Sequence, residues 1–500
     1  MGRDEKDVLV LCRRLACKLD AESEMPLYRQ LSDRLQELIA DLEFMPGELM
    51  PSTRALASAL GISRKTVCRC YEDLLSRGFI KSQSGVGTFV GFGTLSPENT
   101  KDSTPSSDRA VGRRLTKYAE TLMACAIEPS NQGDLPELHF GAPPVSELPI
   151  KAWRQVLLAQ LRNSDLTQFY YDTEPFGYLP LRTAIASYLM RSRALRCKPE
   201  QIVVFSHALS PLRLFAQLVI EAGDSVVVEN PGFPFARKVF ESLGAKLIPV
   251  PVDQDGMCVD ELDRIDETVR VIYVTPSHQD PTGAMMSLAR RKQLLDWAKA
   301  KNCLILEDDY DCEFRYTGST LPALMALADG ENVVYVGDMW KTLFPLINVG
   351  YLVLPANLVD VFSRAQSSGW TKASTSLPFF DQLAITAFMN EGFFERHLRK
   401  TKATYASRYR NFVLGITRFF GGVVEYAKDS GGMQVLIRFK IPASAVEILK
   451  TAKDAGLSLI PTQPYYVDGG VEKEFLLAFV MLDESEMMVR LERWAACLKG

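Results

Sequence analysis

The sequence predicts an α/β protein with a small helical unit at the N-terminus and a large domain built on a mostly parallel central sheet. Three observations predict this fold class. The 500 residues are too many for one ordinary hydrophobic core. Residues 25–91 hold three short helical patterns and two short strands. From residue 135 onward, apolar strand-like runs alternate with helical segments, which is typical of a parallel sheet.

Composition indicates a globular protein of a reducing compartment. Apolar residues make up 47% and charged residues 24%, and the net charge of −4 argues against a uniformly basic nucleic-acid binder. The ten cysteines form no C-x-x-C pair and the four histidines never lie at ligand spacing, so we expect reduced thiols and no metal site. With no apolar run near the roughly 20 residues of a membrane span, and no signal-peptide core, we expect a cytoplasmic protein without a membrane partner.

The pattern of residues 25–91 predicts a winged helix-turn-helix. Four leucines of its first helical segment share one face: Leu27, Leu31, Leu35 and Leu38. N-capping serines, Ser52 and Ser63, open the next two helices, which Gly61 and Gly78 close. FIKSQSGVGTFVG then supplies two short strands around a glycine turn.

The second helix of such a pair enters the major groove of DNA. Here it opens with Ser-Arg-Lys-Thr at 63–66, so basic and hydroxyl groups cluster where phosphates and base edges would lie. Arg54 on the preceding helix suits a similar contact, and the glycine turn at 84–87 suits the minor groove. From 54 to 81, six basic residues stand against two acidic ones, a local charge of +4. The alternative is a protein-interaction module with a solvated basic face.

The same unit resembles the DNA-binding domain of the GntR family over its full length. The family's LPSxRxLA stands here as MPSTRALA, and its GxSRxTVxxAYxxLxxxG helix stands as GISRKTVCRCYEDLLSRG. The resemblance implies double-stranded operator DNA as a partner. It places six residues at DNA-contacting positions: Arg54, Ser63, Arg64, Lys65, Thr66 and Gly85.

Residues 92–134 differ in composition from their surroundings. GTLSPENTKDSTPSSD is rich in Ser, Thr, Pro, Asp and Asn, which predicts a flexible linker. Residues 135–500 form the second predicted domain, which ends in long helices and a small α+β part after about residue 395. Residues 1–24 carry no pattern that predicts a role.

A single lysine, Lys341, follows a buried strand in GDMWKTLFPLINVG. A lysine that forms a Schiff base must be fixed, partly desolvated and close to a partner for a pyridine nitrogen. CLILEDDYDCEF puts Asp308 and Tyr310 at the carboxyl end of a strand, where open α/β sheets bind ligands. Phe233 in ENPGFPFAR offers a ring for stacking. Taken singly, each residue has a structural alternative, such as a helix cap or a solvated lysine.

In this order, the segments resemble the fold-type-I aminotransferases, the PLP-dependent-transferase fold. More narrowly, they resemble the MocR-type branch of the GntR family, which joins that fold to a winged helix. VENPGFPFARKVFESLGAKLIPVPVDQDGM, TPSHQDPTG and EDDYDCEFRY are the most specific parts. The resemblance implies that Lys341 binds pyridoxal phosphate (PLP) covalently and that Asp308 holds the pyridine nitrogen. It further implies that Tyr310 contacts the ring hydroxyl, that Phe233 stacks on the ring, and that the protein is a head-to-tail homodimer.

The chain departs from this family where the cofactor phosphate would lie. The family's small hydroxyl residue is Asp338 here, its serine is Trp340, and its arginine is Asn348. Its glycine–glutamine turn appears as SHALS, with His207 and Leu209 at those places. A carboxylate repels a phosphate, and loss of the arginine removes a charge-assisted bond of roughly 1.5–3 kcal/mol.

Two accounts of the pocket stay open. Either PLP binds weakly through Lys341 with other groups, such as His207, replacing the phosphate contacts, or the pocket takes another ligand with a cationic or hydroxyl group near Asp338. The family's carboxylate-binding arginine is Leu476 here, which argues against efficient transamination.

We therefore predict a DNA-binding transcriptional regulator whose aminotransferase-like domain senses a small-molecule effector, PLP or a PLP-reactive amine. The alternatives are an aminotransferase with a DNA-binding appendage and a dimerisation scaffold that binds no effector.

Overall fold

The computed structural model describes residues 19–20, 23, 25–41, 43–83, 86–91, 116–124, 141–163, 174–316, 318, 320–328, 332–367, 377–427 and 431–499. The chain divides into two compact units, one within Met1–Arg114 and one within Leu115–Gly500. Within the described ranges, no helix is long and apolar enough to span a bilayer.

The first unit consists of three helices and a hairpin. The elements are α1 (Leu27–Ala40), α2 (Thr53–Leu60), α3 (Arg64–Ser76), β1 (Ile80–Gln83) and β2 (Gly87–Val90). Ser52 Oγ accepts a hydrogen bond from Ala55 N at 3.1 Å, and Gly61 ends α2 at φ 67°, as the capping pattern predicts. The antiparallel strands β1 and β2 pair in register from Ile80 to Gln83.

The buried face of α1 differs slightly from the predicted one. Leu31 and Leu35 are buried, but Leu27 and Leu38 are only half-buried, and Ile39 takes the inner position instead. The buried positions Leu31, Leu35 and Ile39 are four residues apart, whereas the predicted set steps by only three residues from Leu35 to Leu38. At 3.6 residues per turn, a step of four departs less from one helix face than a step of three.

The second unit is built on an eight-stranded sheet. Its strands are β3 (Ile202–Phe205), β4 (Ser225–Asn230), β5 (Lys246–Asp253), β6 (Gly256–Met257), β7 (Val269–Val274), β8 (Leu304–Asp308), β9 (Val333–Asp338) and β10 (Gly350–Val353). Their order is β3-β10-β9-β8-β7-β4-β5-β6. The pairs from β9 to β5 are parallel, while β10 runs antiparallel to both of its neighbours and β6 antiparallel to β5. The mostly parallel sheet that the sequence predicts is confirmed.

Helices cover both faces of this sheet. The helices of this unit that precede the small α+β part are α4 (Lys117–Ala124), α5 (Ile150–Asn163), α6 (Leu179–Arg193), α7 (Ser210–Val219), α8 (Pro234–Ser242), α9 (Leu288–Lys301), α10 (Leu324–Leu327), α11 (Trp340–Leu343), α12 (Ala356–Ser367) and α13 (Phe379–Asn390). Alternate residues of each strand enter separate apolar clusters, as Val203 and Val204 do. Burial on both faces explains why the strands are continuous apolar runs.

A smaller α+β part follows the long helix α14 (Phe393–Phe420). Its strands are β11 (Val424–Tyr426), β12 (Val435–Phe439), β13 (Leu459–Pro461) and β14 (Glu474–Leu477), and its helices are α15 (Ala445–Asp454) and α16 (Glu484–Lys499). The strands form an antiparallel sheet in the order β11-β12-β14-β13. Trp494 is fully buried between this sheet and α14, where its ring meets Phe420 and Phe439 edge-on.

The sheet topology brings several loops to one edge. Strands β3, β4, β7, β8 and β9 all run in the same direction, so the loops after them meet where the sheet ends. Open α/β sheets bind ligands at this carboxyl edge. The residues that the sequence assigns to the pocket follow these strands directly.

Candidate functional site

The helix assigned to the major groove carries free cations at its N-terminus. Arg64 and Lys65 are exposed at its first two positions, and neither forms an ion pair or hydrogen bond within the described ranges. Arg54, on the first turn of α2, is also exposed and unpaired there. Free guanidinium and ammonium groups at this end of a reading helix suit phosphates and base edges.

Other predicted contacts in this unit also serve the fold itself. Ser63 Oγ caps α3 by accepting a hydrogen bond from Thr66 N at 3.1 Å, and it lies 2.8 Å from Thr66 Oγ1, so the two hydroxyl groups also bond to each other. The Arg69 guanidinium lies 4.4 Å from the ring centroid of Tyr28, which removes it from the set of free cations. Gly85 lies outside the described residues.

Lys341 lies on the one-turn helix α11 at the carboxyl edge of the main sheet. Its ammonium nitrogen is 5.4 Å from the ring centroid of Tyr310 and 5.1 Å from that of Trp340, within cation–π range. The backbone at Gly141 also packs closely, since a Cβ built there would lie 2.7 Å from Lys341 Nζ. In the described part of the chain the amine forms no ion pair. Aromatic rings and backbone therefore hold it.

Asp308 is the last residue of β8, and its Oδ2 accepts a hydrogen bond from Tyr273 OH at 2.6 Å. Tyr273 pairs with Leu306 on the neighbouring strand, which puts its side chain on the same face as Asp308. Burial raises the pKa of the Asp308 carboxyl to about 7, although the tyrosine hydrogen bond opposes the shift.

Tyr310 joins a hydrogen-bonded group on the next loop. His278 Nδ1 lies 3.0 Å from Tyr310 OH and 2.8 Å from Asp311 Oδ2. Burial opposes the charged imidazole, but the Asp311 carboxylate outweighs it and raises the pKa of His278. The Tyr310 hydroxyl thus has a protein partner, and its predicted contact with a cofactor ring stays a prediction.

Phe233 immediately precedes α8 and is half-buried. Its ring centroid lies 5.5 Å from that of Phe235. The adjacent Gly232 N donates a hydrogen bond to Tyr465 O at 2.9 Å, which ties this loop to the small α+β part. The predicted stacking role of Phe233 stays a prediction.

Asp338 ends β9, and its side chain bonds to the first amide of the helix that carries Lys341. Its Oδ1 accepts a hydrogen bond from Trp340 N at 2.7 Å. Since Asp308 pairs with Val336 across the strands, Asp338 lies two residues further along on the same face. Burial, and then the charge of Asp308, raises the pKa of Asp338 to about 8. A carboxyl group therefore stands where the family places a phosphate-binding hydroxyl.

The first amides of the turn between β3 and α7 are not free to bind a phosphate. Its amides bond to protein acceptors: Ala208 N to Asn348 Oδ1 at 3.0 Å, Leu209 N to His207 Nδ1 at 3.1 Å, and Ser210 N to His207 O at 3.0 Å. The next residue, Pro211, has no N–H group. Burial, and then the charge of Arg213, lowers the pKa of His207, so its ring is neutral and already accepts a bond.

This pocket fits PLP at only one end. Lys341, Asp308 and Tyr310 are gathered as a pyridine ring would require. At the other end, an anion would meet the Asp338 carboxyl and a turn whose first amides are already bonded. The residues that the structure describes at this end therefore do not fit the phosphate of this cofactor.

The substrate side also lacks the family's arginine. Leu476, at that position, is fully buried in β14 and pairs with Leu436 and Ile460. Arg438 is near in register, but its guanidinium bonds to the Glu474 carboxylate at 2.6 Å. Among the described residues, the pocket therefore offers no free guanidinium at the place where aminotransferases hold a substrate carboxylate.

The structure adds residues that the sequence analysis did not single out, chiefly Tyr273, His278 and Asp280. Asp280 is only 7% exposed, and neither carboxyl oxygen has a hydrogen-bond donor among the described residues. Burial raises the pKa of Asp280 to about 6, and Lys341 is the largest opposing influence. The polar run TPSHQDPTG directly after a buried strand was the signal that could have pointed to His278 and Asp280.

Comparison with known proteins agrees with both parts of the chain. Residues 27–90 match the family "Bacterial regulatory proteins, gntR family", and residues 138–476 match "Aminotransferase class I and II". The chain is 32% identical over 474 residues to the "Probable rhizopine catabolism regulatory protein MocR" of Rhizobium meliloti, covering 94% of this chain and 93% of that protein. It is 28% identical to the pyridoxine biosynthesis transcriptional regulator PdxR of Corynebacterium glutamicum, with 92% and 93% covered.

Among solved structures, an archaeal alanine:glyoxylate aminotransferase superposes with a TM-score of 0.67 at 24% identity, covering 77% of this chain and 96% of that one. At this identity the likeness concerns the fold, which is that of the fold-type-I aminotransferases. Together with the regulators that match along nearly the whole chain, it establishes that the chain belongs to the MocR-type branch of the GntR family of transcriptional regulators.

Proposed function

We propose that this protein is a cytoplasmic transcriptional regulator that binds operator DNA through its winged helix and senses a small molecule around Lys341. The observation that carries the DNA-binding half is the set of exposed, unpaired cations Arg54, Arg64 and Lys65 at the start of the helix-turn-helix. The sensing half is supported by the acidic and aromatic groups gathered at the sheet edge.

The DNA-binding half is tested by selecting duplexes from a random-sequence library and measuring anisotropy with the enriched duplex. Arg64→Ala should weaken binding by about 1–3 kcal/mol, roughly five- to 150-fold. The matched control is Arg77→Ala. Arg77 follows the other end of α3, about 20 Å away at 1.5 Å per residue, and bonds to Asp73 at 3.2 Å. Equal losses in both variants, or none in either, would show that the groove assignment is wrong.

The regulator is proposed to act as a homodimer, so that two winged helices reach two half-sites of one operator. A ligand that prefers one conformation of the aminotransferase-like domain shifts the population toward it and changes how the two helices are spaced. Light scattering should give twice the chain mass, and the enriched duplex should contain a repeated half-site. A monomer bound to a single site would contradict this arrangement.

The second candidate is a working aminotransferase with a DNA-binding appendage. The fold and the retained Lys341 favour it, while the buried Leu476 and the Asp338 carboxyl oppose it. Incubation with an amino acid and a 2-oxo acid in the presence of PLP should give no steady turnover. Sustained formation of the new amino acid, lost in Lys341→Ala, would place the protein among the enzymes.

A further inference from the structure

The pocket around Lys341 has more carboxyl groups than cations. Asp280 and Asp338 both lie within electrostatic range of Lys341, and Asp308 lies within range of each of these two carboxyls. The other nearby cation, His278, already pairs with Asp311. Within the described ranges, one unpaired ammonium group therefore stands against three carboxyl groups.

Asp280 points to a missing partner. It is more than nine-tenths buried, and no donor among the described residues reaches either of its oxygens. Buried polar atoms nearly always have a hydrogen-bond partner, and a carboxyl group is an acceptor of unusual strength when it is ionised. A ligand that brings an N–H donor and a positive charge would satisfy this group.

The raised pKa values of Asp280, Asp308 and Asp338 agree with the need for a second positive charge. Burial raises their pKa values to about 6 for Asp280, about 7 for Asp308 and about 8 for Asp338. Such values mean that the protein alone supplies too little positive charge to keep them ionised. A second ammonium group in the pocket would lower all three.

The end of the pocket at which the family holds the cofactor phosphate disfavours an anion in this protein. A phosphate dianion would lie beside Asp338 and would find the amides of Ala208, Leu209 and Ser210 already bonded. While Asp338 is protonated, the phosphate still finds these three amides occupied, and once a bound ammonium group ionises Asp338, the phosphate also meets a like charge. The arrangement therefore selects against the phosphorylated form of any ligand.

We propose that this pocket selects small amines that carry no phosphate, and that the buried carboxyl groups of Asp280 and Asp338 supply the negative charge that attracts their ammonium group. The inference rests on the proposed sensing function and names the class of ligand that is sensed. Binding is non-covalent, so that Lys341 remains a counter-charge for the carboxyl groups.

The sharpest test uses two probes that differ only in the phosphate: pyridoxamine and pyridoxamine 5′-phosphate. Calorimetric titration of the full chain should show pyridoxamine binding at least about tenfold more tightly, a difference of about 1.4 kcal/mol. The proposal is overturned if the phosphate ester binds as tightly or more tightly. It is also overturned if neither probe binds to protein that still binds its selected duplex.

Substitutions of the two carboxyl groups test whether they attract the amine. Asp338→Asn and Asp280→Asn should each weaken pyridoxamine binding by about tenfold or more, because each removes a negative charge that attracts the ammonium group. The control is Asp266→Asn, an exposed carboxylate for which the structure records no contact, and it should bind like the parent. If Asp280→Asn does not fold, Asp338→Asn decides alone, and an unchanged affinity there overturns the proposal.

DNA binding, measured on the same preparations, distinguishes a failure of the ligand inference from a failure of the proposed regulatory function. Intact operator binding without amine selectivity overturns only the ligand inference. Loss of specific DNA binding in the parent protein overturns the proposed function itself.

Discussion

Rebuilding the phosphate site should restore affinity for PLP. The change is the double variant Asp338→Ser and Asn348→Arg. A serine at 338 can still accept the hydrogen bond from Trp340 N, so the first amide of α11 keeps an acceptor. An arginine at 348 cannot accept the bond from Ala208 N, so that amide becomes free to donate to a phosphate oxygen.

The size of the gain follows from these contacts. A charge-assisted arginine–phosphate contact contributes about 1.5–3 kcal/mol. The Asp338 carboxyl is mostly ionised only above about pH 8, and there the removal of its charge adds about 1–3 kcal/mol at an effective dielectric constant of about 20. Together the two contributions predict at least about a 50-fold gain above that pH, since 1.4 kcal/mol is a factor of ten.

The assay compares dissociation constants for PLP and for pyridoxal, which lacks the phosphate. The double variant should gain affinity for PLP while its affinity for pyridoxal changes little, and Asp266→Ser should leave both unchanged. If the ratio of the two constants in the double variant equals that in the parent protein, the account of the phosphate end is wrong.

Three further predictions concern stability and DNA binding. Arg193→Met should destabilise the second unit by about 3–5 kcal/mol in denaturant unfolding, because it removes the buried ion-pair partner of the Asp309 carboxylate, which lies 2.6 Å from Arg193. A loss below about 1 kcal/mol would show that this ion pair contributes little to stability. The pKa of Asp338 lies near 8, above its ordinary 3.8, so its contribution to stability is fully present below about pH 4 and is lost as the pH rises through 8. In thermal unfolding between about pH 6 and 9, the Asp338→Asn variant should therefore lose less stability than the parent protein. Parallel curves of stability against pH for the two proteins would refute the raised pKa of Asp338. Arg64→Ala should reduce the slope of log affinity against log salt by up to about 1 if the residue meets a phosphate, and should leave it unchanged if it meets only a base.

Much of the fold could be predicted because its signals are local. Buried strands such as β8 and β9 are continuous apolar runs, and Ser52 and Ser63 mark helix starts by themselves. The antiparallel direction of β10 was less accessible, since a short apolar run does not show its direction. The predicted boundaries of the winged helix (25–91), the linker (92–134) and the aminotransferase-like domain (135–500) stay predictions.

The details of the candidate site depend on contacts between distant parts of the chain. The substitution at Asn348 was visible in the sequence, but its bond to Ala208 joins residues 140 positions apart. Likewise, the +4 charge of the winged helix counts Arg69 among its cations, although Tyr28 on another helix engages it. Periodicity predicts elements, whereas such pairings depend on how the elements pack.

The measurement that tests the central claim most directly is an absorbance spectrum of the purified protein with added PLP, followed by borohydride reduction and peptide mass mapping. The account predicts no visible band and no adduct on Lys341 at equimolar PLP, in protein that still binds its selected duplex. A visible band that ends as a reduced adduct on Lys341 would contradict it, because the cofactor would then be held despite Asp338 and the bonded amides of the 207–210 turn.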